Sequence, residues 1–283
     1  GMPYHRALLR PDVALGRSNG HHEPGRHLNA LLNAEDIGIS IDEDVIDRDT
    51  KAAMRGFGGP IPIPLSRKGE DTPGSDSVDL NSKPIQFHPH HIREGLHALN
   101  ALVRYRQSSL AHEMAEACID AVLELWDGED GWDEDRMRGH YGVIIQPTIS
   151  VIHGEARCIG PLVKYYRTTG YGPSLELATC LKDRIIRDIF VDSGRYDSEL
   201  FSGHSHSATC VMSSLAQLAD VTVDSTLMNR VKAFYDNGLW DIRDEVGWSG
   251  ESGRSKEADP DRGEMNNSGD ILETALILGR WGH

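Results

Sequence analysis

The chain lacks long apolar runs. No stretch of its 283 residues approaches the roughly 18 apolar residues that a membrane-crossing helix needs, so no membrane partner is expected. It is also short of positive charge, with 29 Lys and Arg against 44 Asp and Glu and a net charge of -15. Phosphate binding needs a surplus of Lys and Arg on one face, so nucleic acid is excluded as a partner. The acidity itself reads as solvated helix surface. Cysteine is scarce: Cys118, Cys158, Cys180 and Cys210 are the four present, none within four residues of another. No zinc-knuckle spacing exists. Each falls among apolar residues of a predicted helix, where a free thiol behaves as a small buried hydrophobe. No G-x-S-x-G turn occurs, and nothing marks a cysteine as an activated nucleophile. No signal peptide is visible, and Gly1-Met2 reads as a tag remnant ahead of a native start. A reduced, cytoplasmic setting is therefore the expectation.

What the sequence does contain is an internal repeat. Leu102-Val103-Arg104-Tyr105-Arg106 is followed by a short break and a helical run over 110–126. Leu162-Val163-Lys164-Tyr165-Tyr166-Arg167 is followed by Thr168-Thr169-Gly170-Tyr171-Gly172-Pro173 and a run over 174–190. Leu215-Ala216-Gln217-Leu218-Ala219-Asp220 leads, after a break at 222–224, into 225–239, and Leu276-Ile277-Leu278 opens a fourth copy. A weaker, earlier copy pairs residues 27–34 with 41–54.

The second member of each pair is amphipathic. Leu175, Leu177, Ala178, Leu181, Ile185, Ile186 and Ile189 make the one-sided stripe of a surface helix. The first member differs: residues 207–219 are almost free of charge and rich in small side chains, which suits an inner helix packed on both sides. The spacing of about 50 to 60 residues, with long loops between pairs, fits a closed ring of hairpins better than an open solenoid, whose helix pairs recur at about 34–47. The fold expected is all-α, an (α/α) toroid of repeated hairpins. Gly56, Gly58, Gly59, Pro60, Pro62, Pro64, Gly69, Pro73 and Gly74 preclude a regular element over 55–86, so an irregular Gly/Pro-rich N-terminal excursion is expected there. Residues 1–86 form a helical and irregular segment packed on the toroid of 87–283, in one structural domain.

Polar residues gather just before each inner helix. They read Phe87-His88-Pro89-His90-His91, then His153-Gly154-Glu155-Ala156-Arg157, then Gly203-His204-Ser205-His206-Ser207, then Glu264-Met265-Asn266-Asn267-Ser268-Gly269-Asp270. In a ring of hairpins these starts lie around one mouth, where free N–H groups and the positive dipole end suit hydroxyl-rich or anionic ligands. His204-Ser205-His206 is an i, i+2 pair without H-E-x-x-H spacing and with no cysteine beside it, so no metal and no cofactor are expected. Carboxylates point to carbohydrate chemistry, because glycoside hydrolysis needs one carboxyl held protonated and a second ionised across a sugar. Glu155 sits in an apolar stretch, where burial raises a carboxyl pKa. Glu251, Glu264 and Asp270 are the candidates for the second acid. His153, His204, His206, Asn267 and Tyr141 are expected to line the sugar subsite, with Trp248 stacking on the ring.

The residues resemble the six-hairpin glycosidase superfamily, whose members fold as (α/α)6 toroids. The resemblance rests on Tyr-Tyr-Arg-Thr-Thr-Gly at 165–170, Gly-His-Ser-His-Ser at 203–207, Gly-Trp-Ser-Gly-Glu at 247–251 and Asn-Asn-Ser-Gly-Asp-Ile-Leu-Glu-Thr-Ala at 266–275. These look like inner-helix starts of β-L-arabinofuranosidase-like and related uncharacterised proteins, and the match covers about residues 87–283. The resemblance implies carbohydrate binding or hydrolysis. It departs in one place: the arabinofuranosidase-like enzymes carry a zinc-bound cysteine cluster where Asn266-Asn267-Ser268 stands here. The helical periods count to roughly nine helices, fewer than six hairpins need, so three readings stay open: the sequence is a fragment, a partner chain such as the second copy of a homodimer supplies the missing wall, or the ring is open. A glycoside hydrolase is the leading expectation. A polysaccharide lyase using His204, Tyr141 and Arg157 is the alternative enzyme, and a truncated toroid that binds glycan or protein is the non-catalytic one.

Overall fold

The computed structural model describes residues 22–67, 84–129, 131–146, 150–201, 203–243 and 265–283. They are mostly helical and fall in two compact units, Gly1–Pro147 with Thr168–Pro173, and Thr148–Arg167 with Ser174–His283.

The first unit contains α1 (His22–Asp36), α2 (Glu43–Arg55), α3 (His91–Arg106), α4 (Ser109–Leu125) and α5 (Glu134–Tyr141). Asp42 caps α2 by accepting from the Asp44 N–H, with Glu43 and Asp44 in the first turn, where acids suit the helix dipole. Gln107 ends α3 in a left-handed conformation, and Ser108 caps α4 by accepting from the Ala111 N–H, so the α3–α4 hairpin closes over two residues. The apolar faces of α1 (Leu28, Leu32), α3 (Ile92, Leu96, Leu99) and α4 (Ala115, Cys118, Ile119) are buried.

α1 packs on α3 as well as on its own partner α2. The ion pairs give the direction: Arg26 reaches Glu94 at 3.0 Å near the helix starts, while the Tyr105 hydroxyl donates to Asn33 and Arg106 pairs with Glu35 near the ends. The first helices of two successive hairpins therefore run parallel, side by side. Gly25 makes the approach possible, because a Cβ there would stand 2.3 Å from the Glu94 carbonyl oxygen.

A three-stranded sheet was not expected. β1 (Leu65–Arg67) pairs antiparallel with β2 (Ile85–Phe87), which pairs parallel with β3 (Val143–Ile145). The Gly/Pro-rich excursion thus contains regular structure, β1 within it and β2 at its close, while residues 68–83 lie outside the described ones. One of the long stretches between helix pairs, after α4, likewise holds α5 and β3. Strands of three residues carry no period that a sequence can display, and their pairing joins segments far apart in the chain.

The second unit contains a 3-10 turn (Glu155–Cys158), most of α6 (Ile159–Thr169), α7 (Gly172–Asp188), α8 (Ser205–Thr222), α9 (Ser225–Asp236), the short α10 (Leu239–Ile242) and α11 (Met265–Arg280). α8 is buried from Ser205 through Ala219, as its lack of charge implied, whereas α7 and α9 bury one face only. Cys180 departs from expectation: it is exposed on α7, while the other three cysteines are buried and all four are free thiols.

α6, α8 and α11 are also parallel. Arg157 at the start of the α6 segment meets His206, Gly160 lies against Ser214, and Arg167 meets Asp220. Thr209 meets Asp270, Ser213 meets Glu273, and Asp220 meets Arg280 and Trp281. Both ladders rise together along the chain, so the three helix starts share one end.

Candidate functional site

At the shared end of α6, α8 and α11 a chain of contacts links Arg157, His206, Asp270 and, through Thr209, Asn267, and Glu155 lies in the same turn as Arg157. Glu155 and Arg157 lie in the 3-10 turn and are 7% and 2% exposed. Burying a guanidinium is costly unless its donors are satisfied. Arg157 donates from Nη2 to Nδ1 of His206 at 3.2 Å. A guanidinium has no acceptor, so His206 Nδ1 carries no proton in this arrangement and Nε2 does. Nε2 faces Asp270 Oδ2 at 3.5 Å, and the Asp270 side chain is 16% exposed. The same oxygen accepts from the Thr209 hydroxyl at 2.9 Å. Thr209 lies 3.3 Å from Oδ1 of the fully buried Asn267.

One turn further along, Glu273 accepts from the Ser213 hydroxyl at 2.6 Å and from Gln217 Nε2 at 3.0 Å, with Lys164 at 3.8 Å. At the far end Asp220 accepts from Trp281 Nε1 at 3.0 Å and pairs with Arg167 and Arg280 at 2.7 and 2.8 Å. Burial alone would raise the Asp220 carboxyl, but these three donors outweigh it and hold it below the usual carboxylate range. The three helices are therefore clamped at one end by Asp220, while their starts carry the largely buried group of acids, amide and imidazole.

His204 and His153 stand beside this group in different roles. His204 is the N-cap of α8, its Nδ1 accepting from the Ser207 N–H at 3.2 Å. Here an imidazole fills the capping role more often taken by Ser, Thr, Asp or Asn. The His153 ring lies 5.1 Å from the His204 ring. Burial, and secondarily the Arg157 charge, hold the His153 imidazole below its ordinary pKa, so it is neutral at pH 7.

Of the residues singled out from the sequence, Glu155, His153, His204, His206, Asn267 and Asp270 all belong to this one unit. Tyr141 ends α5 in the first unit, with its ring 4.6 Å from that of His140. Trp248, Glu251 and Glu264 lie outside the described residues. Sequence reasoning passed over Thr209, Glu273 and, above all, Cys210. Cys210 is four residues after His206 on α8, the spacing that puts two side chains on one helix face. The ligand atoms of His206, Cys210 and Asp270 lie within 4.8 Å of one another, a nitrogen, sulfur and oxygen set able to hold a metal ion. A search for His–Cys pairs at i, i+4 would find two of the three.

In comparisons with known proteins, no family model matches the chain and no curated protein matches it.

Proposed function

We propose that this chain is a carbohydrate-active protein built as an α/α toroid of helical hairpins, and that it hydrolyses glycosides at the shared end of α6, α8 and α11. The observation that carries the reading is the chain Arg157–His206–Asp270. It ties the turn that bears Glu155 to the start of α11 that bears Asp270, which supports reading the two carboxyl groups as one pair. Glycoside hydrolysis uses two carboxyl groups in unlike roles, one giving a proton and one acting in its ionised form. Glu155, the more buried, is the proton donor to the leaving oxygen. Asp270, served by Thr209 and facing His206, is the described candidate for the ionised partner; Glu251 and Glu264 are the others. Asn267 and His153 supply hydrogen bonds to sugar hydroxyls.

Parallel first helices in successive hairpins support the toroid, because in a ring of hairpins every inner helix points the same way. Free thiols suit a reduced, cytoplasmic setting. No described helix is long and apolar enough to cross a membrane.

The test is turnover on a panel of glycosides by the wild-type chain and by Glu155→Gln. Hydrolysis lost in the variant supports the reading. Ultraviolet absorbance from an unsaturated uronate product would replace hydrolysis with lyase chemistry, with His153 as the neutral base and Arg157 as the charge that steadies the enolate. Glycan retention on an array without turnover would leave a binding protein.

A further inference from the structure

We infer that His206, Cys210 and Asp270 form a binding site for a single divalent transition-metal ion, with zinc the ion the donor set suits best. His206 and Cys210 project from one face of α8, four residues apart, and Asp270 meets them from the adjacent, parallel α11. All three ligand atoms lie within 4.8 Å of one another, and His206 Nε2 is 3.5 Å from Asp270 Oδ2. Metal–ligand bonds of about 2.0–2.3 Å put two ligands of a tetrahedral ion about 3.4–3.7 Å apart. The nitrogen–oxygen edge already has that length, and the edges to sulfur close by no more than about 1 Å, within reach of a side-chain adjustment.

The chemistry of the set selects the ion. Calcium and magnesium take oxygen ligands, whereas imidazole with thiolate and carboxylate suits zinc or its neighbours. His206 and Cys210 are buried, and Asp270 is held by the Thr209 hydroxyl, so the ligands are oriented before an ion arrives. Three protein ligands leave the fourth position to water or to a ligand hydroxyl, as in zinc sites that act on substrates. None of the three lies at residues 266–268, so the site is not the cysteine cluster of the arabinofuranosidase-like enzymes.

Arg157 sets the alternative state of the site. While it donates to His206 Nδ1, Nε2 holds a proton toward Asp270. An ion on Nε2 takes the place of that proton, Nδ1 becomes the protonated nitrogen, and Arg157 must turn to another acceptor. The site thus exchanges a hydrogen-bonded chain for a metal.

The experiment uses the whole chain, stripped with a chelator and titrated with Co(II) as a spectroscopic stand-in for zinc. One equivalent is expected to bind, with a near-ultraviolet thiolate-to-cobalt band that zinc abolishes by displacement. Cys210→Ser is expected to lose the band, Cys180→Ser to keep it, and His206→Gln and Asp270→Asn to weaken binding by about 10–1000-fold. Absence of stoichiometric binding or of the thiolate band in the wild-type chain overturns the inference, and this readout does not depend on any variant folding. A band that persists in Cys210→Ser overturns it as well. The inference stands apart from the glycosidase reading: binding is measured without a sugar, and a metal on Asp270 leaves Glu155 free to act with Glu251 or Glu264.

Discussion

Arg157 and His206 are joined across two helices, with Nη2 of the guanidinium 3.2 Å from Nδ1 of the imidazole, and both are buried. Because the guanidinium only donates, the contact fixes the imidazole tautomer and aims a proton at Asp270. Nitrogen-15 NMR of the metal-free chain is expected to show His206 neutral, with Nε2 protonated and Nδ1 bare. A resonance pattern with Nδ1 protonated would contradict the contact.

Val223 ends α8 with φ at 55°, and its side chain is 78% exposed. A β-branched residue in the left-handed region is strained by roughly 1–2 kcal/mol, part of which glycine returns as unfolded-state entropy. Val223→Gly is expected to stabilise the chain by about 0.5–1 kcal/mol in urea unfolding. No gain, or a loss, would mean that the α8–α9 turn draws its stability from the valine side chain.

Asp49 is buried on α2, and burial pushes its carboxyl up to about 6, with Arg48 opposing. A folded-state pKa above the unfolded value of 3.8 makes this group favour folding when protonated. That contribution is complete below about pH 4 and is lost as pH rises through about 6. The rise corresponds to up to about 3 kcal/mol. Asp49→Asn is therefore expected to stabilise the chain at pH 8 and to change little at pH 3.5. Equal effects at both pH values would show that the carboxyl does not titrate in this range.

Asp220 behaves in the opposite sense. Its folded-state pKa is depressed below 3.8, so its contribution is present above the unfolded value and is lost as pH falls through the folded one. Asp220→Asn is expected to cost roughly 1–2 kcal/mol at pH 7, a modest figure because Arg167 and Arg280 are partly exposed. The cost should fall toward zero as pH drops below the folded pKa. A cost that is unchanged there would assign the effect to packing instead of charge.

The hairpins are legible in the sequence because their two members carry different signatures. Residues 207–219 hold no charge and are buried on every side, while Leu177, Leu181 and Ile185 recur on one face and are buried on that face alone. The repeat places the helix starts of α6, α8 and α11 at one end, where Thr209 links His206, Asn267 and Asp270, and Glu155 lies in the same unit. The sheet is not legible, since Leu65, Ile85 and Val143 begin three-residue strands whose partners are set by the tertiary fold. The Asp220 clamp is hidden for a related reason, because Arg167 and Arg280 lie 53 and 60 residues away. Cys210 escapes a search that compares cysteines only with one another, when its neighbour on the helix is a histidine.

The most direct measurement of the central claim is steady-state turnover of a glycoside panel by the wild-type chain and by Glu155→Gln, with circular dichroism to show that both are folded. A buried general acid contributes about 10²–10⁴-fold to the rate. The account expects hydrolysis by the wild-type chain and a loss of that size in the variant. Full turnover by a folded Glu155→Gln chain would contradict it.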